Sequence, residues 1–451
     1  MTYELVVRNG TLAPPKETPY RGDLGIDGDQ IAAIAAPNSL EGTGVVDATD
    51  KYILPGAIDA HTHHGVHNPF ETDARTESRS ALVGGVTTIG NMLIGLERPW
   101  KAVVPEYLDA VEDAYHHDHF LTLEFVPTDS AAEDVAYALD HGVTSFKWFP
   151  TRKFEAEGNV YDDVVDAYLA ALTDSDVDTT LGYHSENVEI TSDRNESLQE
   201  AGREDFGVLV EGFPGRAEAQ SLASAASLAH LHDYDDSLYT VHISASQTAE
   251  ELARLQADGY GVTGETCPHY LGLTTEDCDD RMKISPPIRD ETHREALWNH
   301  VAAGTIDCIG SDHCTNVTDE KVGETIWDSV YGFPSTPVLL PLILSEGVDA
   351  GRIDVTRAVE VTSTNPAKEW GLYPQKGTLQ VGTDADVVVV DFNEQEEVTL
   401  DRIAAANDYS PYEGRELTGW PTHTVVNGTL AVDQGEVVAE PEGSYLDRPL
   451  A

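Results

Sequence analysis

The sequence predicts a (β/α)8 barrel of the TIM type with a small β-sandwich domain that the N- and C-terminal segments build together. In the middle of the chain, about residues 55–365, eight short apolar strands alternate with Ala-rich amphipathic helices. Both ends instead show alternating apolar residues broken by Asn-Gly and Asp-Gly pairs, which are hairpin signals. We therefore expect an α/β chain whose barrel is inserted into a β-domain.

The two ends of the chain have the same strand-and-turn texture, so we expect them to pair with each other. The predicted organisation is residues 1–54 for the first part of the β-sandwich, 55–365 for the barrel and 366–451 for the second part and the C-terminal segment. The strand candidates at the two ends are YELVVRNGTL, GDLGIDGDQIAAIA, GVVDATDKYILPG, DADVVVVDF and THTVVNGTLAVDQGEVV.

The middle segment repeats an apolar strand, a polar loop and a helix. A doubly wound sheet is the alternative for this pattern, but no Gly-rich phosphate loop follows the first strand, so the barrel is favoured. The strand candidates are GAIDAHTH, GVTTIGNM, HFLTLEFV, GVTSFKWF, TTLGYHSEN, SLYTVHIS, GVTGETCPHY and DCIGSDHC, and the helices include EYLDAVEDAYHH, AAEDVAYALDHG, RAEAQSLASAASLAHLH and TAEELARLQADG.

The charge of the chain excludes some classes of protein. Its 451 residues carry 80 acidic against 27 basic side chains, a formal net charge of -53. A nucleic-acid binder needs a basic surface, which this composition does not offer. Intrinsic disorder is also disfavoured, because 40% of the residues are hydrophobic and aromatic residues recur throughout.

The acidic residues are spread over the whole length rather than gathered in a tail. A distributed acidic surface with few lysines is expected of a halophile, since the Debye length falls to roughly 3 Å in 1 M salt and like charges stop repelling. An acidic protein from an ordinary cytoplasm is the alternative.

The sequence predicts a cytoplasmic protein without membrane contact. The N-terminus lacks a basic start followed by an apolar stretch, and no window approaches 18 uninterrupted apolar residues. The cysteines show no CxxC spacing, which fits free thiols in a reducing interior. They are Cys267, Cys278, Cys308 and Cys314.

Polar side chains stand where the predicted barrel strands give way to loops. Active sites of such barrels form at these strand ends, so the fold would gather the side chains at one mouth. Histidine nitrogens and a carboxylate suit zinc or a similar divalent ion. Each residue alone has an ordinary structural explanation, and the coincidence of all of them favours a metal site. The set is His61, His63, Lys147, His184, His242 and Asp312.

Lys147 is the most informative member of this set. Its ammonium repels a cation, but the neutral amine can react with CO2 to give an anionic carbamate whose two oxygens can bridge two metals. A two-metal site holds its ions roughly 3.5 to 4 Å apart and generates a hydroxide nucleophile near neutral pH. Asp312 then has a second task, which is to take the proton during attack and deliver it to the leaving nitrogen.

In combination, the motifs resemble those of the cyclic amidohydrolases over essentially the full length of the chain. The resemblance is closest to D-hydantoinase and dihydropyrimidinase, with allantoinase and dihydroorotase as near relatives. The motifs are LPGAIDA before His61, SFKWF around Lys147, HSEN, VHIS, ETCPHYL, KISPPIR and GSDHC, followed by TNPAKEWGLYPQKGTLQVGTDADVVVVDF and SPYEGRELTGWP.

This resemblance implies hydrolysis of a small cyclic amide by a bridging hydroxide in a binuclear centre, and commonly a homotetramer or dimer. The two divalent ions would be zinc, or manganese, cobalt or nickel. His61, His63 and Asp312 would bind the more buried ion, His184 and His242 the second, and a CO2-derived carbamate on Lys147 would bridge them. The backbone at Ser285 would bind the substrate amide.

Three departures from the hydantoinase pattern concern the substrate. Arg152 stands where hydantoinases have a tyrosine that helps to hold the substrate; it could stabilise an oxyanion or an anionic group, or be a solvated loop residue. The loop after the eighth strand reads VYGFPSTP and lacks the family's Asn-Gly. Finally, His64-Gly65-Val66-His67-Asn68 lacks the arginine that dihydroorotases carry after HxH, which counts against orotate chemistry.

The sequence therefore predicts a hydrolase that opens a hydantoin or dihydropyrimidine ring. Allantoinase or dihydroorotase activity is the first alternative. A non-catalytic scaffold protein related to dihydropyrimidinase is the second, although all six ligand types are retained here. A mononuclear deaminase is the third, and it would need no bridging lysine.

Overall fold

The computed structural model describes residues 2–96, 98–150, 160, 162–234 and 238–448. These residues form a nine-stranded mixed sheet and an eight-stranded parallel sheet. The N-terminal segment contributes its strands to the mixed sheet, in which β1 pairs antiparallel with β2 but parallel with β4 and β5. These strands are β1 (Thr2–Leu12), β2 (Tyr20–Asp27), β3 (Gln30–Ala35), β4 (Glu41–Asp47) and β5 (Tyr52–Pro55).

The middle of the chain forms the parallel sheet, in which each strand pairs with the next in sequence. A parallel bridge between Thr62 and His313 brings the last strand back beside the first, so the sheet is a nearly closed barrel. The strands are β6 (Ala57–Thr62), β7 (Val86–Leu93), β8 (Asp118–Glu124), β9 (Ser145–Trp148), β10 (Thr180–Tyr183), β11 (Leu238–Thr240), β12 (Thr263–Thr266) and β13 (Cys308–Ile309). Each predicted barrel strand is present.

Helices cover the outer face of the barrel and side chains fill its interior, which is why β6, β7 and β8 have no exposed position. The α-helices are α1 (Phe70–Val83), α2 (Trp100–Val111), α3 (Ala131–Leu139), α4 (Asp162–Thr173), α5 (Val188–Glu200), α6 (Gly207–Gly212), α7 (Gly215–Leu231), α8 (Ser246–Ala257), α9 (Pro268–Gly272), α10 (Glu291–Ala303), α11 (Thr318–Lys321), α12 (Leu339–Leu342), α13 (Val355–Val359) and α14 (Asn365–Glu369). Short 3-10 helices span Asp280–Met282 and Thr336–Val338, and π-helical turns span Ile343–Asp349 and Glu360–Thr364.

One predicted helix is displaced in the structure. The sequence pattern placed it at EYLDAVEDAYHH, but α2 begins at Trp100 and ends at Val111. The buried side chains of Trp100, Val103 and Val104 explain the earlier start, because they fasten the first turn to the core. Pro105 lies inside the helix, where it cannot donate the hydrogen bond that the Lys101 carbonyl oxygen would otherwise accept.

The C-terminal segment completes the mixed sheet. Its strands are β14 (Val387–Glu397), β15 (Glu416–Val426), β16 (Thr429–Asp433) and β17 (Glu436–Val437). The two ends of the chain meet where β5 runs antiparallel to β14, with Leu54 opposite Val388. The predicted fold class is therefore confirmed, and the part predicted as a β-sandwich is a single mixed sheet. The boundaries after residues 54 and 365 stay predictions.

A buried ion cluster joins the mixed sheet to the barrel at the end opposite to the strand ends discussed below. The Lys376 ammonium lies 2.7 Å from Asp118 at the start of β8, 3.0 Å from Asp384 and 2.8 Å from Asp386. Burial opposes the charge, but the three carboxylates outweigh it and raise the pKa of Lys376. Removal of one partner from such a buried cluster costs about 3–5 kcal/mol.

Two further expectations concern the whole chain. Within the described ranges, no helix has the length and apolar character needed to cross a membrane. The four cysteines are free thiols, of which Cys267, Cys308 and Cys314 are buried.

Candidate metal centre

The carboxyl ends of the barrel strands gather all six residues predicted as ligands. His61 and Lys147 lie within β6 and β9, while His184 directly follows β10. The other three stand one to three residues beyond β6, β11 and β13. Each of the six is at most 7% exposed. All except His61 line one pocket, as the barrel hypothesis requires.

His61, His63 and Asp312 form the first cluster. One ligand atom from each lies within 4.8 Å of the others. The Asp312 Oδ1 is 3.3 Å from His61 Nε2 and 3.0 Å from His63 Nε2. Two imidazole nitrogens and one carboxylate oxygen around a common point are a typical donor set for a divalent transition metal.

A second pair of imidazoles lies beside this cluster. The Nδ1 of His184 and the Nε2 of His242 are 2.8 Å apart, so two ring nitrogens point at the same place. The Lys147 Nζ lies 3.5 Å from His61 Nε2, which places the amine next to the first cluster. The structure thus brings all six predicted residues together.

Hydrogen bonds fix the orientation of three of these rings. The Nδ1 of His61 is 2.7 Å from Glu265 Oε1, and that of His63 is 3.0 Å from the carbonyl oxygen of Met92. The Nε2 of His184 is 3.0 Å from Glu186 Oε2. Partners of this kind set the tautomer and leave the other ring nitrogen available for a metal.

Glu265 and Glu186 therefore belong to the candidate site, although the sequence motifs did not indicate them. Glu265 also accepts hydrogen bonds from the His242 backbone N–H at 3.0 Å and from the Tyr239 hydroxyl at 2.9 Å. Burial raises the pKa of Glu265 to about 7. Two sequence features could have revealed them. Glu265 is an acidic residue inside a barrel strand, at the start of ETCPHYL, and Glu186 is an acidic residue two positions after His184, in HSEN.

Backbone strain marks two of the six residues. His242 has φ 41° and Asp312 has φ 52°, in a region that side chains other than glycine rarely adopt. Hydrogen bonds hold both strained segments. The Glu265 carboxylate binds the amide of His242, and Asp59 accepts from the Ser311 amide at 3.0 Å. Strain maintained in this way concentrates at functional sites.

The electrostatics of the centre favour neutral nitrogen donors. Burial, and next the Lys147 charge, hold the pKa of His61 well below its usual range. Burial, and next His184, do the same for the pKa of His242. Burial also lowers the pKa of Lys147 to about 8, although Asp312 and Glu265 act in the opposite direction. Lone pairs are therefore available on His61 and His242 and, in part, on the amine of Lys147.

The outer part of the pocket is mostly apolar. Ser285, which the family resemblance predicts as a substrate contact, lies in the wall of the pocket and is half-buried. Arg152, the other expected substrate contact, lies outside the residues that the structure describes. The remaining lining residues are Val66, Ile94, Phe149, Ile284, Cys314, Tyr331 and Gly332.

A buried ion pair that the sequence did not reveal supports the segment after His242. Glu218 of α7 binds Arg289 at 3.0 Å and accepts hydrogen bonds from the amide and hydroxyl of Ser244, at 3.0 and 2.6 Å. Arg289 belongs to KISPPIR, the segment that also contains Ser285. The pair thus ties the loop that contains His242 to the loop that contains Ser285.

Comparisons with known proteins agree with this geometry. A D-hydantoinase from Ralstonia pickettii is 32% identical over 99% of this chain and 99% of the relative. An L-hydantoinase from Paenarthrobacter aurescens is 30% identical over 97% and 96%. The crystal structure of dihydropyrimidinase from Brevibacillus agri NCHU1002 gives a TM-score of 0.91 at 28% identity, with 98% of each chain covered. The model of the "Amidohydrolase family" matches residues 52–431. The chain therefore belongs to the amidohydrolase family.

Proposed function

We propose that the chain is a metal-dependent hydrolase that opens the ring of a hydantoin or a dihydropyrimidine. One observation carries the proposal: two neighbouring sets of histidine nitrogens, one with a carboxylate, lie beside a buried lysine at the strand ends of an amidohydrolase barrel. The relatives named as D- and L-hydantoinase, which match nearly the full length of the chain, support the choice of a cyclic amide as substrate.

The donor set fits two divalent ions. His61, His63 and Asp312 would hold one ion, and His184 and His242 would hold the other. The fit rests on buried imidazoles whose second nitrogens are already engaged in three of the four cases. Zinc is the first candidate, with manganese, cobalt and nickel as the others. When bound, the ions would supply activation of water and polarisation of the substrate carbonyl.

Lys147 would complete this donor set as a carbamate. Its neutral amine attacks CO2, an N–C bond forms and one proton leaves, which gives an anion with two oxygens. The reaction needs an unprotonated amine, and a pKa near 8 keeps a usable fraction neutral at neutral pH. Burial is the main cause of this low pKa, because Lys147 is 1% exposed, and the His61 Nε2 lies 3.5 Å from the amine.

Asp312 is the proposed acid and base. Burial opposes its charge, but the neighbouring His61 and His63 outweigh burial and lower the pKa of Asp312, so the carboxylate is charged at neutral pH. It accepts a proton from the attacking water as the C–O bond forms. It then gives that proton to the ring nitrogen as the C–N bond breaks, which balances the hydrolysis.

The pocket wall would orient the ring. We place the substrate amide against the backbone at Ser285, with its ring packed on the apolar side chains of Ile94, Phe149 and Ile284. Walls of this kind exclude water and strengthen the electrostatic interactions inside.

A side-by-side assay tests this function. Metal-loaded protein in molar KCl is incubated with hydantoin, dihydrouracil, allantoin and dihydroorotate, and ring opening is followed for each. We expect turnover of hydantoin or dihydrouracil, and its loss in Lys147→Ala. No ring opening of any of the four substrates would contradict the proposal.

We further propose the cellular environment and the oligomeric state of the enzyme. The net charge of -53 supports a salt-rich cytoplasm, where screening reduces repulsion between acidic side chains. We also propose a homo-oligomer, a tetramer or a dimer, which light scattering in molar KCl would measure.

A further inference from the structure

Lys321 is a buried cation outside the proposed metal centre. It is the last residue of α11, and its side chain is fully buried. The ammonium donates to the backbone carbonyl oxygens of Lys283 at 2.7 Å, of Gly332 at 2.6 Å and of Val330. An ammonium has three N–H groups, so these carbonyls use its full donor capacity.

The three carbonyls belong to two loops that both face the pocket. Lys283 stands two residues before Ser285, in the loop after β12, while Val330 and Gly332 flank Tyr331, in the loop after β13. Ser285, Tyr331 and Gly332 line the pocket. The Gly332 amide also donates to the Lys283 carbonyl oxygen at 3.1 Å, so the two loops meet directly beside the ammonium.

The charge of Lys321 matters for this arrangement. Burial lowers the pKa of Lys321 to about 7, whereas the carbonyls favour the charged form because a neutral amine has only two N–H groups. Removal of the ammonium would leave three buried carbonyls without this donor, which is costly in a dry environment.

We propose that Lys321 is a positioning residue for the substrate. Its ammonium and the three carbonyls, here named the loop clamp, hold the segments 283–285 and 330–332 at the separation that a bound ring requires. The inference rests on the proposed function, because a substrate in the pocket is what gives the clamp its purpose. None of the six proposed metal ligands takes part in the clamp.

Because the clamp contains no metal ligand, its loss should change KM and kcat differently from the loss of a metal ligand. The clamped segments would contact the ring in the ground state and in the transition state alike, and the loss of such uniform binding raises KM while kcat stays nearly constant. Loss of a metal ligand would instead lower kcat.

The test compares Lys321→Met with Arg357→Met in the metal-loaded full-length protein. Arg357 of α13 is a matched control, because it also donates to backbone carbonyls, those of Val301 and Ile306, away from the pocket. We expect Lys321→Met to raise KM by about ten- to a hundredfold, as for loss of hydrogen bonds from a charged group. Its kcat should stay within about threefold and its metal content should be unchanged. Arg357→Met should leave KM unchanged.

Hydrogen exchange gives a second readout that needs no activity. In Lys321→Met, peptides covering 283–285 and 330–332 should exchange faster than in the native protein, while peptides covering 57–63 should not change. Lys321→Gln, which keeps two donors, should show a smaller KM increase and serves if the Met variant does not fold.

The outcomes separate this inference from the proposed function. Unchanged KM and unchanged exchange in a folded Lys321 variant would overturn the clamp, as would an equal KM increase in Arg357→Met. A native protein that opens none of the rings would overturn the proposed function, and the exchange experiment would still decide whether the clamp exists.

Discussion

The site has two regions that are built in different ways. The floor consists of the six residues at the strand ends, and all six are buried. Three of its four imidazoles are oriented by a hydrogen bond at one ring nitrogen. The rim consists of the segments 283–285 and 330–332, where Ser285 and Tyr331 are half-buried and the backbone is held by Lys321. We infer that the two regions have different roles: the floor would carry out the hydrolysis, and the rim would select and hold the substrate ring.

The largest effect is expected from the floor at Lys147. Lys147→Ala removes the group proposed to join the two halves of the centre, so ring opening should fall by about a thousandfold or more, as when one member of a cooperating catalytic set is removed. Small carboxylates should restore part of the activity, because they can occupy the space of the carbamate. Turnover constants with and without acetate measure both effects. Full activity of Lys147→Ala would favour a mononuclear enzyme.

Asp312→Asn should give the next largest effect. The amide cannot take up a proton from water, so kcat should fall by about a hundred- to ten-thousandfold, the usual contribution of general acid-base catalysis. Because Asp312 is also a proposed ligand, metal content is measured on the same sample. Full turnover in this variant would assign the proton transfer to another group.

Glu265→Gln tests the hydrogen bond that orients His61 in the floor. The substitution keeps the shape of the side chain but weakens its hold on the Nδ1 of His61, so metal affinity should fall by about ten- to a hundredfold. Competition with a chelator measures the affinity. Glu369→Gln is a control, since Glu369 is hydrogen-bonded to Thr263 and does not line the pocket. Equal losses in both variants would show a general effect on stability.

The smallest effect on the site is expected from salt. Transfer from molar to dilute KCl should lower the thermal unfolding midpoint, because the acidic surface then repels itself, while the ligand set in the folded fraction stays the same. Calorimetry and metal analysis at each salt concentration measure the two parts. Full stability and activity in dilute buffer would remove the argument for a saline cytoplasm.

The floor could be predicted from the sequence because its signals are local. Residues two apart in a strand share a side, so His61 and His63 were expected to face the same ligand, and parallel strands place their ends at one mouth. The fold class followed from the same alternation of strands and helices.

Ser285 of the rim was expected from the family resemblance, but the residues that support the rim could not be predicted from local signals. Lys321 stands in TDEKVGE, which resembles a solvated acidic stretch, and its acceptors are backbone carbonyls that leave no trace in the side-chain pattern. Glu218 and Arg289 are 71 positions apart, and their pairing depends on tertiary packing alone.

A metal titration tests whether ring opening depends on a binuclear metal centre. The purified protein is stripped with a chelator in molar KCl, zinc is added back in steps, and ring opening is measured at each step. We expect no activity without metal and full activity at about two equivalents per chain, as a binuclear centre requires. Ring opening by the stripped protein, or full activity at a single equivalent, would contradict it.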